Sequence, residues 1–418
     1  MDADSFFNIT GGRAADEDFP QFIDREAIAS YRIAFNFSRA MMSTFDDTTG
    51  LRTRVELVNS PFFTCRAKMV GQDEYALAIP LGLVSRLHVL AHLLLGYWQS
   101  GQFFKFTTVP QESQKSAWDL PRKLVPLFGA TRRSFALQSG LEELYDDVAT
   151  PEAQPDVLQL TYLALIFAIG HEVAHVHRRH DATLKLLRLK GWVQNARQEQ
   201  VFRRFAEIDA DVMATYWALD SQWTAIKGAQ DHGDEQVSIS LAYLRISYAV
   251  TMLYALFDAH RKQIGAYGTG FYPHPIIRRH IFTTASFRLA NISPQSMTEW
   301  PEMELTGWAK CVSALSCLNL DVLAGRFGAV QDAARVVPIS ALHYDSAPEL
   351  YQSRYDREKF LYSLVLTMHE GIGCFRMAGA PETVSYKLPG LDDQLRMFTA
   401  DDPELLIALN LALRTVKS

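Results

Sequence analysis

Val157-Leu-Gln-Leu-Thr-Tyr-Leu-Ala-Leu-Ile-Phe-Ala-Ile-Gly-His-Glu-Val-Ala-His175 decides the fold. Residues 157–170 are almost wholly apolar and run into His171 without a breaker, and Pro155 and Asp156 ahead of them suit a helix start. A helix that is apolar all round is expected to be buried all round, in the middle of its domain. Polar groups at the end of such a helix cost free energy unless they find partners. His171 and His175 are four apart, so both imidazoles leave one face of the helix about a turn from each other. That spacing suits two nitrogens on one zinc ion, with Glu172 placed to hold and deprotonate a metal-bound water.

A catalytic zinc needs a third protein ligand. A histidine ten residues after the first is one known solution, but that position holds Asp181. Downstream, Glu207-Ile-Asp-Ala-Asp211 again places two carboxylates four apart on one helical face. Glu207 completes a His-His-Glu set, and Asp211 can accept the free ring N–H of a ligand histidine and fix its tautomer. The alternative is that Glu207, Asp209 and Asp211 form a solvated acidic face. His177 and His180 are carried away from the ligand face by successive 100° steps and read as structural or exposed.

These residues resemble the gluzincin zinc metallopeptidases. The HtpX-like (M48) branch is the nearest pattern, with His171-Glu172-x-x-His175 followed by Arg179-His180 and then by Glu207-Ile-Asp-Ala-Asp211. The Lit-type phage-exclusion proteases are a second resemblance. The resemblance implies a zincin-like core with Zn2+ on His171, His175 and Glu207, and Glu172 as general base. It also implies a small sheet from residues 55–83 whose edge strand holds the substrate backbone, with Ala76, Leu77, Ala78 and Ile79 as the candidate edge. Tyr272-Pro-His274-Pro-Ile-Ile-Arg278-Arg279 resembles the family's His-Pro element, which implies His274 at the transition state. His274 reads equally as a turn residue. Tyr267 or Tyr272 is an alternative oxyanion donor, and Arg278 and Arg279 either face the substrate or pair with acidic groups on neighbouring helices.

The expected fold is mostly α (α+β). A segment at 1–50 precedes the metallopeptidase domain at 51–285, which carries an insertion at about 101–155, and a helical subdomain follows at 286–418. Residues 1–25 look irregular and 52–80 carry the strand signals. Helices are expected at 26–47, 83–98, 235–262, 304–327, 356–372 and 401–415. The 418 residues are 48% hydrophobic and 21% charged with a net charge of −6. That supports a real core and gives no reason to expect a nucleic acid partner. No transmembrane segment is expected, peripheral membrane contact stays open, and scattered cysteines without a signal peptide point to the cytoplasm. The implied activity is hydrolysis of peptide bonds in a protein or peptide substrate. The alternatives are a non-catalytic zinc-stabilised scaffold and a dedicated effector that cuts one specific protein.

Overall fold

A computed structural model describes residues 1–71, 73–96, 127, 134–149, 153–177, 180–189, 193–231 and 239–263, together with 278–279, 282, 285–286, 306–307, 310–311 and 314. The expected helices at 356–372 and 401–415, all of that at 304–327 except five helical residues, and most of the 101–155 and 286–418 segments lie outside these residues.

The architecture is mostly helical with one small sheet. Residues 1–25 are not wholly irregular: α1 spans Ala3–Ile9, with the Asp2 side chain accepting from Ser5 N–H at its start. Helix α2 runs Arg25–Thr49. Asp24 caps it by accepting from Ala27 N–H at 2.8 Å, and Gly50 ends it with φ of 69°, a left-handed conformation that costs glycine little. Strands β1 (Arg52–Val58), β2 (Arg66–Met69) and β3 (Glu74–Pro80) follow. Next come α3 (Leu81–Gly96), α4 (Ser134–Val148), α5 (Gln154–His177), α6 (His180–Leu189), α7 (Ala196–Asp231) and α8 (Ile239–Gln263).

The strand order is β1-β3-β2, with β1 parallel and β2 antiparallel to β3. Residues 76–78 are therefore not an edge, because β1 pairs with β3 from Glu74 to Pro80 and β2 pairs with it from Tyr75 to Ala78; Ile79 is paired with β1 alone. Alternation along β3 explains how the sheet is covered. Tyr75, Leu77 and Ile79 face the main core, while Ala76 and Ala78 leave room for Phe6 and Phe7 of α1 on the other side. The free edge beside the helices is β2, whose Arg66 and Lys68 are the charged residues that edges commonly carry.

Helix α5 is the centre of the molecule. It packs against α2, α3, α7 and α8. Its residues from Val157 to Val176 are almost all buried, as a helix apolar on every side requires. By length and composition α5 could cross a membrane, but the other helices enclose it as a core helix. Helix α4, from the expected insertion, packs on α3 through a face that buries Leu141 and Leu144.

The contact between α5 and α7 is the most extensive between any two elements, and small residues make it close. Ala206, Ala210, Ala214 and Ala218 recur every fourth residue of α7 and are all buried. Opposite them is Gly170, where a Cβ would lie 3.3 Å from Trp217 Cβ and 3.4 Å from Ala214 Cα. A side chain there would push the helices apart one residue before His171.

Candidate metal centre

The backbones of α5 and α7 run in opposite directions past each other, so Gly170 meets Ala214 while His171 meets Asp211 and Glu207. His171 Nε2 lies 3.2 Å from His175 Nε2 and 3.3 Å from Glu207 Oε2, and His175 Nε2 is 3.6 Å from Glu207 Oε1. One ligand atom from each of the three residues falls within 4.8 Å of the others. His171 and Glu207 are buried, and Glu207 Oε2 has no hydrogen-bond donor placed on it among the described residues. Two ring nitrogens and a carboxylate converging at such distances repel one another unless a positive charge sits between them. The donor set therefore fits a divalent cation, and a His-His-Glu set suits zinc.

His171 is held from behind. Asp211 Oδ1 is 2.9 Å from His171 Nδ1. Arg278 grips the same carboxylate through both oxygens, Nη2 to Oδ1 and Nε to Oδ2, each at 2.7 Å. Burial works to raise the Asp211 carboxyl, but the Arg278 guanidinium overrides it and holds the acid down at about 2. Burial likewise opposes a charged His171, yet Asp211 and Glu207 carry that ring up to about 9, so a proton and a cation compete for Nε2. Burial pushes His175 down to about 3, Glu207 offsetting part of it.

Glu172 stands one residue along α5, at the outer edge of β2. Its Oε2 accepts from Ala67 N–H at 3.2 Å. Burial and the neighbouring Glu207 push its pKa above the usual carboxylate range, against the pull of His171 and Ala67. Because the Ala67 N–H points away from β3, alternation in the antiparallel pair leaves Ala67 and Met69 as the residues whose backbone groups face outward.

The structure thus brings together His171, Glu172, His175, Glu207 and Asp211 and separates out other expected residues. Arg278 touches Asp211 and not an open cleft, and Arg279 is directed to Thr251 and Ser247 of α8, with bonds of 2.7 Å to each. Both are buried, and the Arg278–Asp211 pair matches the alternative in which an arginine here meets an acidic group on a neighbouring helix. Tyr267, Tyr272 and His274 lie outside the described residues. His180 is not exposed: it is buried between His175 and Asp209, 2.8 Å from the one and 2.9 Å from the other. Sequence reasoning missed it because 100° steps along one helix do not apply once the helix ends at His177 and another begins at His180.

Fold and cluster together define a mostly helical protein with a His-His-Glu cluster, able to hold a metal ion, at the crossing of two helices. A family described as Peptidase U49 matches residues 106–278, which include every residue of that centre and Arg278 but not the sheet. The match supports a peptidase. No curated protein and no solved structure matches the chain.

Proposed function

We propose that the chain is a zinc-dependent metalloendopeptidase of gluzincin type. The observation that carries this reading is the convergence of His171, His175 and Glu207 beside Glu172, with Glu172 set against a free strand edge. Bound there, zinc would act as a Lewis acid on the scissile carbonyl and bring water towards ionisation at neutral pH. Glu172, its affinity for protons raised by burial, takes the proton of the attacking water and returns it to the departing amine. The outward carbonyl of Ala67 and the outward backbone groups of Met69 offer a substrate strand main-chain hydrogen bonds along β2, beside the Ala67 N–H that Glu172 holds. Arg278 and Asp211 keep His171 presenting Nε2.

The test has two parts. Metal content of the untagged chain, by plasma mass spectrometry, should be about one zinc per molecule and should be lost in Glu207→Ala and His175→Ala. Glu172→Gln should keep the metal and lose peptide hydrolysis by at least about two orders of magnitude. Metal-free, folded wild-type protein sinks the ligand set. Zinc without cleavage of any peptide or lysate protein would leave a zinc-stabilised scaffold, and loss of one lysate protein alone would identify a dedicated effector.

A further inference from the structure

We propose that His180 and Asp209 form a second positioning arm, which holds His175 as a metal ligand independently of the Asp211–Arg278 arm on His171. The inference rests on the metallopeptidase reading above and adds to it the residues that fix the second histidine.

The argument is one of proton placement. A histidine that gives Nε2 to a metal must carry its proton on Nδ1, and that N–H requires an acceptor in a buried site. His175 Nδ1 has one: it is 2.8 Å from His180 Nδ1. Two ring nitrogens at that distance share a single proton, so if His175 donates, His180 Nδ1 must be the bare nitrogen. His180 then carries its own proton on Nε2, which lies 2.9 Å from Asp209 Oδ2, an acceptor. Every donor in the chain from Asp209 to His175 meets an acceptor, and the only ring lone pair left over is His175 Nε2, at the ligand position. With His180 neutral, the opposite proton order would turn its Nε2 into an acceptor facing a carboxylate, and with His180 doubly protonated it would put the His175 proton on Nε2 and block the ligand position.

Placement of the arm follows from helix geometry. Glu207 and Asp211 share one face of α7, whereas Asp209, two residues from each, points round the helix to α6. His180 is the first residue of α6, and α5 ends at His177. The end of the motif helix is thereby closed by a side chain that begins the next one. His180 and Asp209 are both buried, so water does not compete for the bonds.

Zinc affinity of the full chain, measured by competition with a chelator, tests the arm through variants that split the two halves of the imidazole. In His180→Asn the side-chain oxygen stands near the former Nδ1 and keeps an acceptor for His175. In His180→Gln the amide stands near the former Nε2 and serves Asp209 only. The expected result is that His180→Asn stays within about threefold of the parent, while His180→Gln and His180→Phe bind zinc about 10- to 100-fold more weakly. Equal affinity of the Asn and Gln variants, or a weaker Asn variant, overturns the arm. This contrast decides even where His180→Phe fails to fold, because a role in packing alone does not distinguish the two amides in that order. A parent chain that takes up no zinc fails the ligand set itself and the arm with it. Zinc lost in Glu207→Ala but unchanged in His180→Gln and His180→Phe removes the arm alone.

Discussion

Arg278 sits at the residue scale where stability and the site meet. Its guanidinium is buried against a fully buried carboxylate, with both Asp211 oxygens engaged and its Cζ 5.1 Å from the centre of the Tyr254 ring. Removing the cation leaves a buried, charged Asp211 with only the His171 ring against it, so Arg278→Met should cost about 3–5 kcal/mol in urea unfolding. Arg278→Lys should recover little of it, since an ammonium cannot make the two parallel bonds. A loss below about 1 kcal/mol in the Met variant would show that the pair is not the support described. The arginine itself was legible as one of two candidates, but its partner was not. Asp211 lies 67 residues away, and only the packing of α7 brings the two together.

At the scale of elements, the closeness of α5 to α7 sets the gap that His171 and Glu207 must span. Gly170→Ala tests this. The new methyl gains about 1 kcal/mol of helix propensity but meets Trp217 Cβ at 3.3 Å and Ala214 Cα at 3.4 Å. Stability should move by no more than about 1 kcal/mol in thermal melts, while zinc affinity falls because α7 must yield by a few tenths of an ångström. Gly170→Leu should not fold. Unchanged zinc affinity in the Ala variant would mean that the ligand gap is not set here. The sequence carried a signal for this contact, since the alanines at 206, 210, 214 and 218 have the spacing of one helical face. The motif helix and its ligands were readable for the same reason: spacing within one helix is fixed by its geometry. Strand order is not fixed that way. The near-continuous apolar run from Tyr75 to Ile79 is the pattern of a strand buried on both faces, and the charged pair Arg66 and Lys68 marks the edge. The resemblance drew attention to the wrong strand because pairing partners are set by packing across the chain.

The molecule carries a second pair of buried histidines, remote from the centre in sequence, that contributes to its response to acid. His88 and His92 of α3 are buried beside Tyr31, Tyr145 and Gln154, with His88 Nδ1 2.6 Å from the Tyr31 hydroxyl. Burial, with some repulsion from His92, pushes His88 down to about 3; burial pushes His92 to about 4 against the opposing pull of Gln154 and Asp24. An unfolded chain takes up protons on both as pH falls through about 6.5, whereas the folded chain does not until near 4. These two histidines therefore take nothing from stability above 6.5 and cost it between 6.5 and 4, by up to about 1.4 kcal/mol per pH unit each. His92→Leu should flatten that slope in melts recorded from pH 7 to 5; an unaltered slope would remove His92 from the account.

One consequence follows from the charges gathered at the crossing of α5 and α7. With both imidazoles neutral, Glu172, Glu207 and Asp211 stand against the single guanidinium of Arg278, an excess of two negative charges among these described residues. A proton on His171 cancels half of that excess, and one divalent ion cancels all of it. The centre is thus an electrostatic spring held compressed in the metal-free chain, and valence decides what releases it. Zinc at a hundred times its dissociation constant should raise stability by about 2.7 kcal/mol, visible as a higher melting temperature, while sodium or potassium at equal ionic strength should leave it unmoved.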